Sequence, residues 1–317
     1  MSETALNVKD TASLETMAEP NGILVIDKPE GITSFGVVAK IKKRFGLRKV
    51  GHCGTLDPFA TGVLIVCLNQ ATRIVDHLLM QDKAYRFTIR FGVETDTLDR
   101  TGVETFRYKG EAASREELEE AVNGYRGSFI QKVPRFAAVK IQGRRLYDLV
   151  RKGVDVDPPS RKVHVPRLEL LEYDWPWAVL EAHCSKGTYI RQLASDIGGK
   201  LRCGAHVSEL RRLSSGPFGL EDAWPFEEMA GASIDALHRR LIGMGEALTH
   251  LPAVGIDDEG ILKRLYAGCL DAEWEALQRE RLLGCTEPVR IVDREGRLAA
   301  LWRPHTECER RLRVFLP

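Results

Sequence analysis

Apolar residues gather near the start of the chain in two unbroken runs, Ile23-Leu24-Val25-Ile26 after Gly22 and Val63-Leu64-Ile65-Val66-Cys67-Leu68. Short continuous runs of this kind, rich in β-branched residues, predict buried strands. Residues 85–91 follow a different rule: Tyr85, Phe87, Ile89 and Phe91 alternate with Arg86, Thr88 and Arg90, which predicts a strand with one face buried and one wet. Elsewhere the apolar spacing turns helical. Val37, Val38 and Ile41 predict a helix capped by Thr33 or Ser34, with Lys40, Lys42, Lys43 and Arg44 facing outward. Ile74, Val75, Leu78 and Leu79 predict a helix over 70–81, and Ile190, Leu193, Ala194, Ile197 and Leu201 another, with Thr188 as its cap. Ser114 to Asn123 reads as a helix, 163–184 as two strands around Trp175-Pro176-Trp177, and 227–250 as helical and linking. Pro288 to Val292 and Leu298 to Trp302 predict a hairpin.

A chain of 317 residues, 44% apolar and 29% charged, has the composition of a globular protein and is long enough for one large domain and a small one. No apolar run approaches the roughly 18 residues of a membrane span. Residues 1–20 are polar and acidic, without a basic start or an apolar stretch, so a disordered tail is expected there, not a secretion signal, and the protein is expected in the cytoplasm. Seven scattered cysteines without Cys-x-x-Cys spacing give no zinc or disulfide framework.

The net charge of +1 hides an uneven distribution. Residues 40–49 hold six Lys or Arg and no acid, and residues 126–167 hold eleven against Asp148, Asp155 and Asp157. Two basic segments on an otherwise acidic chain form an electrostatic footprint for a polyanion. Each alone would also fit a solvated helix or hairpin face.

Candidate chemistry concentrates in Gly51-His52-Cys53-Gly54-Thr55-Leu56-Asp57-Pro58-Phe59-Ala60-Thr61-Gly62, between the basic helix and an apolar strand. Its glycines predict a shaped loop, and Pro58 holds Asp57, the loop's only acid, in an extended segment. An isolated Asp-Pro also fits an Asp that accepts from local backbone N–H groups. Cys53 beside His52 does not make a nucleophile and base, because adjacent side chains point apart and no third orienting group is evident. Thr95-Asp96-Thr97-Leu98-Asp99-Arg100-Thr101-Gly102 lacks the further acids of a calcium loop and reads as a turn.

With these residues in view, the chain resembles the TruB family of tRNA pseudouridine synthases. Asp27-Lys28-Pro29, the Gly51 to Gly62 block, Asp82-Lys83-Ala84-Tyr85, Gly92 and Thr95-Asp96-Thr97 carry the likeness in order. It continues through Lys186-Gly187-Thr188-Tyr189-Ile190-Arg191, Gly204-Ala205-His206-Val207 and Leu210-Arg211-Arg212-Leu213, covering about residues 20–220. The resemblance implies an α/β (α+β) fold with a central mixed, mainly antiparallel sheet flanked by helices. Residues 21–250 would form the catalytic domain, with an RNA-gripping thumb at about 126–160, and 251–317 a small PUA-like β domain.

It also implies roles. Asp57 would be the catalytic carboxylate, as nucleophile at ribose C1′ or as base at C2′, and Arg191 its partner. Tyr85 would stack on the flipped uracil, Tyr189 and Leu210 would complete the base pocket, and His52 would fill the space that the base vacates in the T-loop. Lys28 and Pro29 would shape the first turn. Val133 and Ala137 stand where the family usually has Pro and Ser, which would make the thumb less stiff and remove one hydroxyl contact. The expected partner is the T-stem-loop of tRNA, with modification at position 55. No cofactor, metal, DNA or membrane is implied, and a monomer is expected. The alternatives are a tRNA-folding chaperone and the catalytic subunit of a guide-RNA particle; the long basic insertion and the lack of a basic terminal tail favour a stand-alone enzyme.

Overall fold

Apolar runs without polar alternation need cover on both faces, and the fold supplies it. The computed structural model describes residues 19–141, 143–305 and 311–317. Its chain forms β1 (Gly22–Lys28), α1 (Ser34–Arg44), β2 (Val50–Cys53), β3 (Thr61–Leu68), α2 (Val75–Leu79) and β4 (Lys83–Phe91). There follow β5 (Val93–Thr95), β6 (Glu104–Arg107), α3 (Arg115–Asn123), β7 (Gly127–Lys132), β8 (Lys140–Ile141), β9 (Arg144–Arg145), α4 (Leu146–Arg151) and β10 (Ser160–Val165). Then come β11 (Arg167–Asp174), β12 (Trp177–Cys184), α5 (Ile190–Lys200) and β13 (Ala205–Ser215).

The main sheet runs in the order β11, β12, β4, β13, β3, β1, with Trp224–Pro225 beyond β1. Only the β3–β13 and β1–Trp224 pairings are parallel, so the sheet is mixed and mainly antiparallel. Leu24, Ile26, Leu64 and Val66 join one core with α1, α3 and α5 residues such as Val37, Leu118 and Leu193. Ile23, Val25, Val63 and Ile65 join a second with Ile74, Leu78, Leu251 and Phe315. β4 needs cover on one face only: Phe87, Ile89 and Phe91 are buried and Arg86 is exposed.

One topological detail positions the site. β2 pairs with β3 at residues 65–68, and β13 pairs with β3 at Thr61 and Gly62, on the edge opposite β1. The loop 54–60 emerges where these two neighbours part.

Several elements differ from the sequence expectation. Residues 70–81 do not form one helix: a 3₁₀ turn, Asn69–Arg73, precedes the short α2. Asn69 starts it at φ 47, and Thr72 Oγ1 donates back to the Asn69 carbonyl at 2.8 Å, which favours the tight turn over an α-helix. The first residues of the 51–62 loop belong to β2. Thr188 does not cap α5; Tyr189 is the N-cap residue, and Thr188 Oγ1 donates to the Ser185 carbonyl instead. Of the tail expected at 1–20, residues 1–18 lie outside the described ones, while the Pro20 carbonyl accepts from Asn69 Nδ2 at 3.0 Å.

The basic segment leaves and re-enters the domain through β7 and β10, paired antiparallel from Gly127–Val165 to Lys132–Ser160. Val133, Ala137 and Leu146 form its small core. After α5 and β13, short helices cover 226–247. The expected hairpin, Val289–Val292 with Leu298–Trp302, is part of a four-stranded sheet, accompanied by the helices Glu259–Tyr266 and Ala272–Arg281. Among the described residues, no helix is long and apolar enough to cross a membrane.

Candidate active site

The loop that carries Asp57 is tied on both sides of that residue. Before it, Leu56 N donates to Ser34 Oγ at 2.8 Å, and Ser34 Oγ donates to the Leu56 carbonyl at 3.1 Å, fixing the loop to the start of α1. After it, the Pro58 carbonyl accepts from Gly31 N at 2.8 Å and from Lys28 Nζ at 3.3 Å. Lys28 is fully buried and also donates to the Pro29 and Ile32 carbonyls at 2.9 and 2.8 Å. Burial lowers its pKa to about 8, against the opposing pull of Asp57 and Glu30. Gly62 closes the loop at φ +99, where a Cβ would stand 2.2 Å from the Arg212 carbonyl oxygen. No other residue type fits there without moving β13.

Lys28→Met keeps the chain length but leaves its buried acceptors with fewer partners. The expected result is a loss of about 1–3 kcal/mol of stability, read by thermal or urea unfolding. It comes with slower turnover, because the carbonyl next to Asp57 loses one of its ties.

The Asp57 side chain does not serve its own turn. It meets Arg191 side-on, with Nε 2.9 Å from Oδ2 and Nη2 3.4 Å from Oδ1. Arg191 is 5% exposed, and its remaining donors are also engaged. Nη1 donates to the Thr97 carbonyl at 2.7 Å and to Asp99 Oδ2 at 3.3 Å, and Nη2 to the Phe136 carbonyl at 3.0 Å. A guanidinium offers five N–H groups in a planar fork, and here each direction of the fork meets an acceptor. The two carboxylates also offset the cost of a cation in the first turn of α5.

Burial pushes the Asp57 carboxyl above its ordinary value, and the charge of Asp99 pushes the same way. Arg191 and, more weakly, Lys28 oppose them. Arg191 is therefore what keeps a partly buried acid usable as an anion.

Asp57 and Arg191 share a cavity of about 540 Å³ with Tyr85, Tyr189 and Leu210. That volume suits a single nucleotide-sized group. Tyr85 comes from β4, Leu210 from β13, and Tyr189 precedes α5. Burial raises the pKa of both phenols, so they stay protonated at neutral pH. Five of the six expected site residues thus come together. His52 lies apart on β2, half-buried, and burial and Arg212 both lower its pKa.

Sequence reasoning missed three supports. Asp99, expected in a plain turn, is buried, pairs with Arg191, and accepts from Thr97 Oγ1 and Thr101 Oγ1. Gln131, also buried, exchanges two bonds with the Tyr189 backbone, at 2.9 and 3.1 Å, and so fastens β7 to the start of α5. Arg212, from the quoted Leu210 to Leu213 block, lies fully buried on the cavity wall.

Residues 42–190 match the TruB family pseudouridylate synthase (N terminal domain), and 191–249 match the tRNA pseudouridylate synthase B C-terminal domain. The tRNA pseudouridine synthase B of Syntrophobacter fumaroxidans is 57% identical over 94% of this chain and 98% of its own length. The chain belongs to the TruB family. A second TruB relative, from Syntrophotalea carbinolica, is 42% identical over 78% of this chain and 81% of its own. Among solved structures, a chain in the crystal structure of a Cbf5-Nop10-Gar1 complex superimposes with a TM-score of 0.68 at 26% identity, covering 94% of this chain and 84% of that one. That likeness is in keeping with the mixed, mainly antiparallel sheet.

Proposed function

We propose that the protein isomerises uridine to pseudouridine in the T-loop of tRNA, at position 55 by family analogy, acting as a monomer without a guide RNA. The observation that carries the reading is the Asp57 carboxylate held side-on by Arg191 inside a cavity walled by Tyr85, Tyr189 and Leu210. The reaction breaks the bond from ribose C1′ to uracil N1, turns the base, and rejoins it through C5. The target base must first leave its stack, and stacking on Tyr85 with phosphate contacts elsewhere offsets that cost. Asp57 then either bonds to C1′ or takes the C2′ proton; both roles need the anion that Arg191 maintains. His52 would occupy the gap in the T-loop. The PUA-like reading of 251–317, as a contact for the acceptor side of tRNA, belongs to the same proposal.

Each turnover replaces the C5–H of uracil by a carbon–carbon bond. Tritium release from tRNA labelled at uridine C5, without added guide RNA or metal, is therefore the direct test. Release of about one equivalent per tRNA is expected; none from tRNA that binds tightly would favour a chaperone or a guided particle.

The thumb supplies the grip. Lys132, Arg135, Arg144 and Lys152 are exposed, and only the first two are paired, with Asp157 and Asp155, among the described residues. The family departures Val133 and Ala137 lie in the small thumb core, at 1% and 3% exposure, so apolar packing serves where stiffness was expected to fall. Replacing the four cations with Gln is expected to weaken tRNA binding by about 30-fold or more at moderate salt and to flatten its salt dependence. The single-turnover rate at saturating tRNA is expected to stay near wild type. Filter binding across a salt series and a saturating single-turnover assay read the two effects separately.

A further inference from the structure

Arg212 and Lys83 are two buried cations on the cavity wall that the roles above leave unused. Arg212 is 1% exposed and sits opposite Tyr85 in the β13–β4 register. Lys83, 8% exposed, lies two residues before Tyr85 on the same strand, and so on the same sheet face. Apart from a side-chain bond between Arg212 and the Tyr85 hydroxyl, the hydrogen bonds that hold them end on neutral backbone. Arg212 donates from Nε to the Val63 carbonyl at 2.6 Å and from Nη2 to the Gly54 carbonyl at 3.4 Å, and Lys83 donates to the Leu79 carbonyl at 2.9 Å and to that of Gln81. Among the described residues neither cation forms an ion pair with a carboxylate, unlike Arg191, which has two.

Their charge is felt around the cavity. Arg212 works to lower the pKa of Lys28, His52, Lys83 and Tyr85, and Lys83 falls to about 8, chiefly through burial. Two neighbouring cations buried without a counter-ion are unfavourable in the empty protein. Their place on the reaction cavity points to an anion that arrives with the substrate or forms during the reaction. RNA phosphates are served by the exposed thumb. Arg212 and Lys83 instead continue the row of side chains that begins at Tyr85, where the base would stack.

We propose that Arg212 and Lys83 stabilise the uracil base as it leaves C1′ as an anion. The inference rests on the reading of Asp57 as the group that drives glycosidic cleavage. When the C1′–N1 bond breaks, its electron pair stays on the base and spreads over N1, O2 and O4. C1′ bonds to an Asp57 oxygen, or the C2′ proton passes to it. After rotation the base donates its pair from C5 to C1′ as the Asp57–C1′ bond breaks and frees the carboxylate, or as Asp57 returns the proton to C2′; the C5 proton then leaves, and N1 takes up a proton. Atoms and electrons balance without a co-reactant. Fixed positive charge beside a developing anion lowers the barrier without reorganisation.

The test compares uridine with 5-fluorouridine at the target position of a tRNA transcript, in single turnover, followed as loss of that nucleoside in digests. Fluorine makes the departing base a more stable anion, one that needs less help. Arg212→Gln and Lys83→Gln are each expected to slow the uridine reaction about 100-fold and the fluorinated one less than about tenfold, raising the ratio of the two rates at least tenfold over wild type. Arg212→Lys, which keeps the charge, is expected to fall between. Equal slowing of both substrates would overturn the proposal in favour of a structural role, and weaker tRNA binding with an unchanged saturated rate would make these residues phosphate contacts. Lys83→Gln carries the test if Arg212→Gln does not fold. A wild-type protein inert on uridine would instead overturn the function itself, an outcome separate from any behaviour of the variants.

Discussion

Asp57→Asn is expected to abolish pseudouridine formation, lowering the single-turnover rate by about 10⁴-fold or more. Asparagine has the same shape and still offers one oxygen to Arg191, but it supplies neither a nucleophilic anion nor a base. The ties at Ser34, Gly31 and Lys28 act on the backbone on either side, so the loop keeps its path. Binding of tRNA is expected to change by less than about threefold, because phosphate contacts dominate affinity. A chaperone using the same grip would be indifferent to this substitution. Tritium release and filter binding on the same preparation separate the two outcomes, and a variant that turned over at the wild-type rate would remove Asp57 from the chemistry.

Arg191→Ala is expected to cost about 10³-fold in rate and to move the acid limb of the pH–rate profile upward. The sign follows from the balance at Asp57. Burial and Asp99 raise its pKa, and Arg191 is the main influence holding it down. Without the guanidinium the carboxyl stays protonated to higher pH, so the active anion is lost earlier as pH falls. Buried acceptors at Thr97, Phe136 and Asp99 also lose their donor, with an expected stability loss of about 3–5 kcal/mol. Arg191→Lys restores the charge but not the five-pronged fork, and is expected to recover the pH profile more fully than the rate. An unchanged profile in Arg191→Ala would mean that some other cation holds Asp57 ionised.

Most of the sheet could be read from local patterns because each pattern reports how many faces of an element are covered. β1 and β3 have uninterrupted apolar runs since both of their faces are buried, whereas β4 alternates since one face stays wet. The stripes of α1 and α5 reflect single buried faces. The predicted helix over 70–81 broke because it rested on four apolar positions, while the backbone there was set by Asn69 and Thr72. The helices Glu259–Tyr266 and Ala272–Arg281 precede the more visible strands of the C-terminal unit and are not among the elements that the apolar pattern predicts.

The site was legible in part for the same reason. Asp57 stands out by its Pro and Gly neighbours, and Arg191 by being a cation at the start of a helix. Asp99 and Gln131 owe their importance to contacts more than fifty residues away in sequence, which no local pattern encodes. A weak signal did exist for Asp99: an acid between two threonines has donors beside it, as Thr97 and Thr101 prove to be. The pairing of Asp57 with Arg191, separated by 134 positions, came from the family resemblance, and the geometry gives it a physical basis.

The measurement that bears most directly on the central claim is primer extension on an unmodified tRNA transcript after incubation with the protein and treatment with carbodiimide, which marks pseudouridine although its mass equals that of uridine. The account predicts one new stop at the T-loop uridine with wild-type protein and none with Asp57→Asn. A stop elsewhere in the tRNA, or the same stop with both proteins, would contradict it.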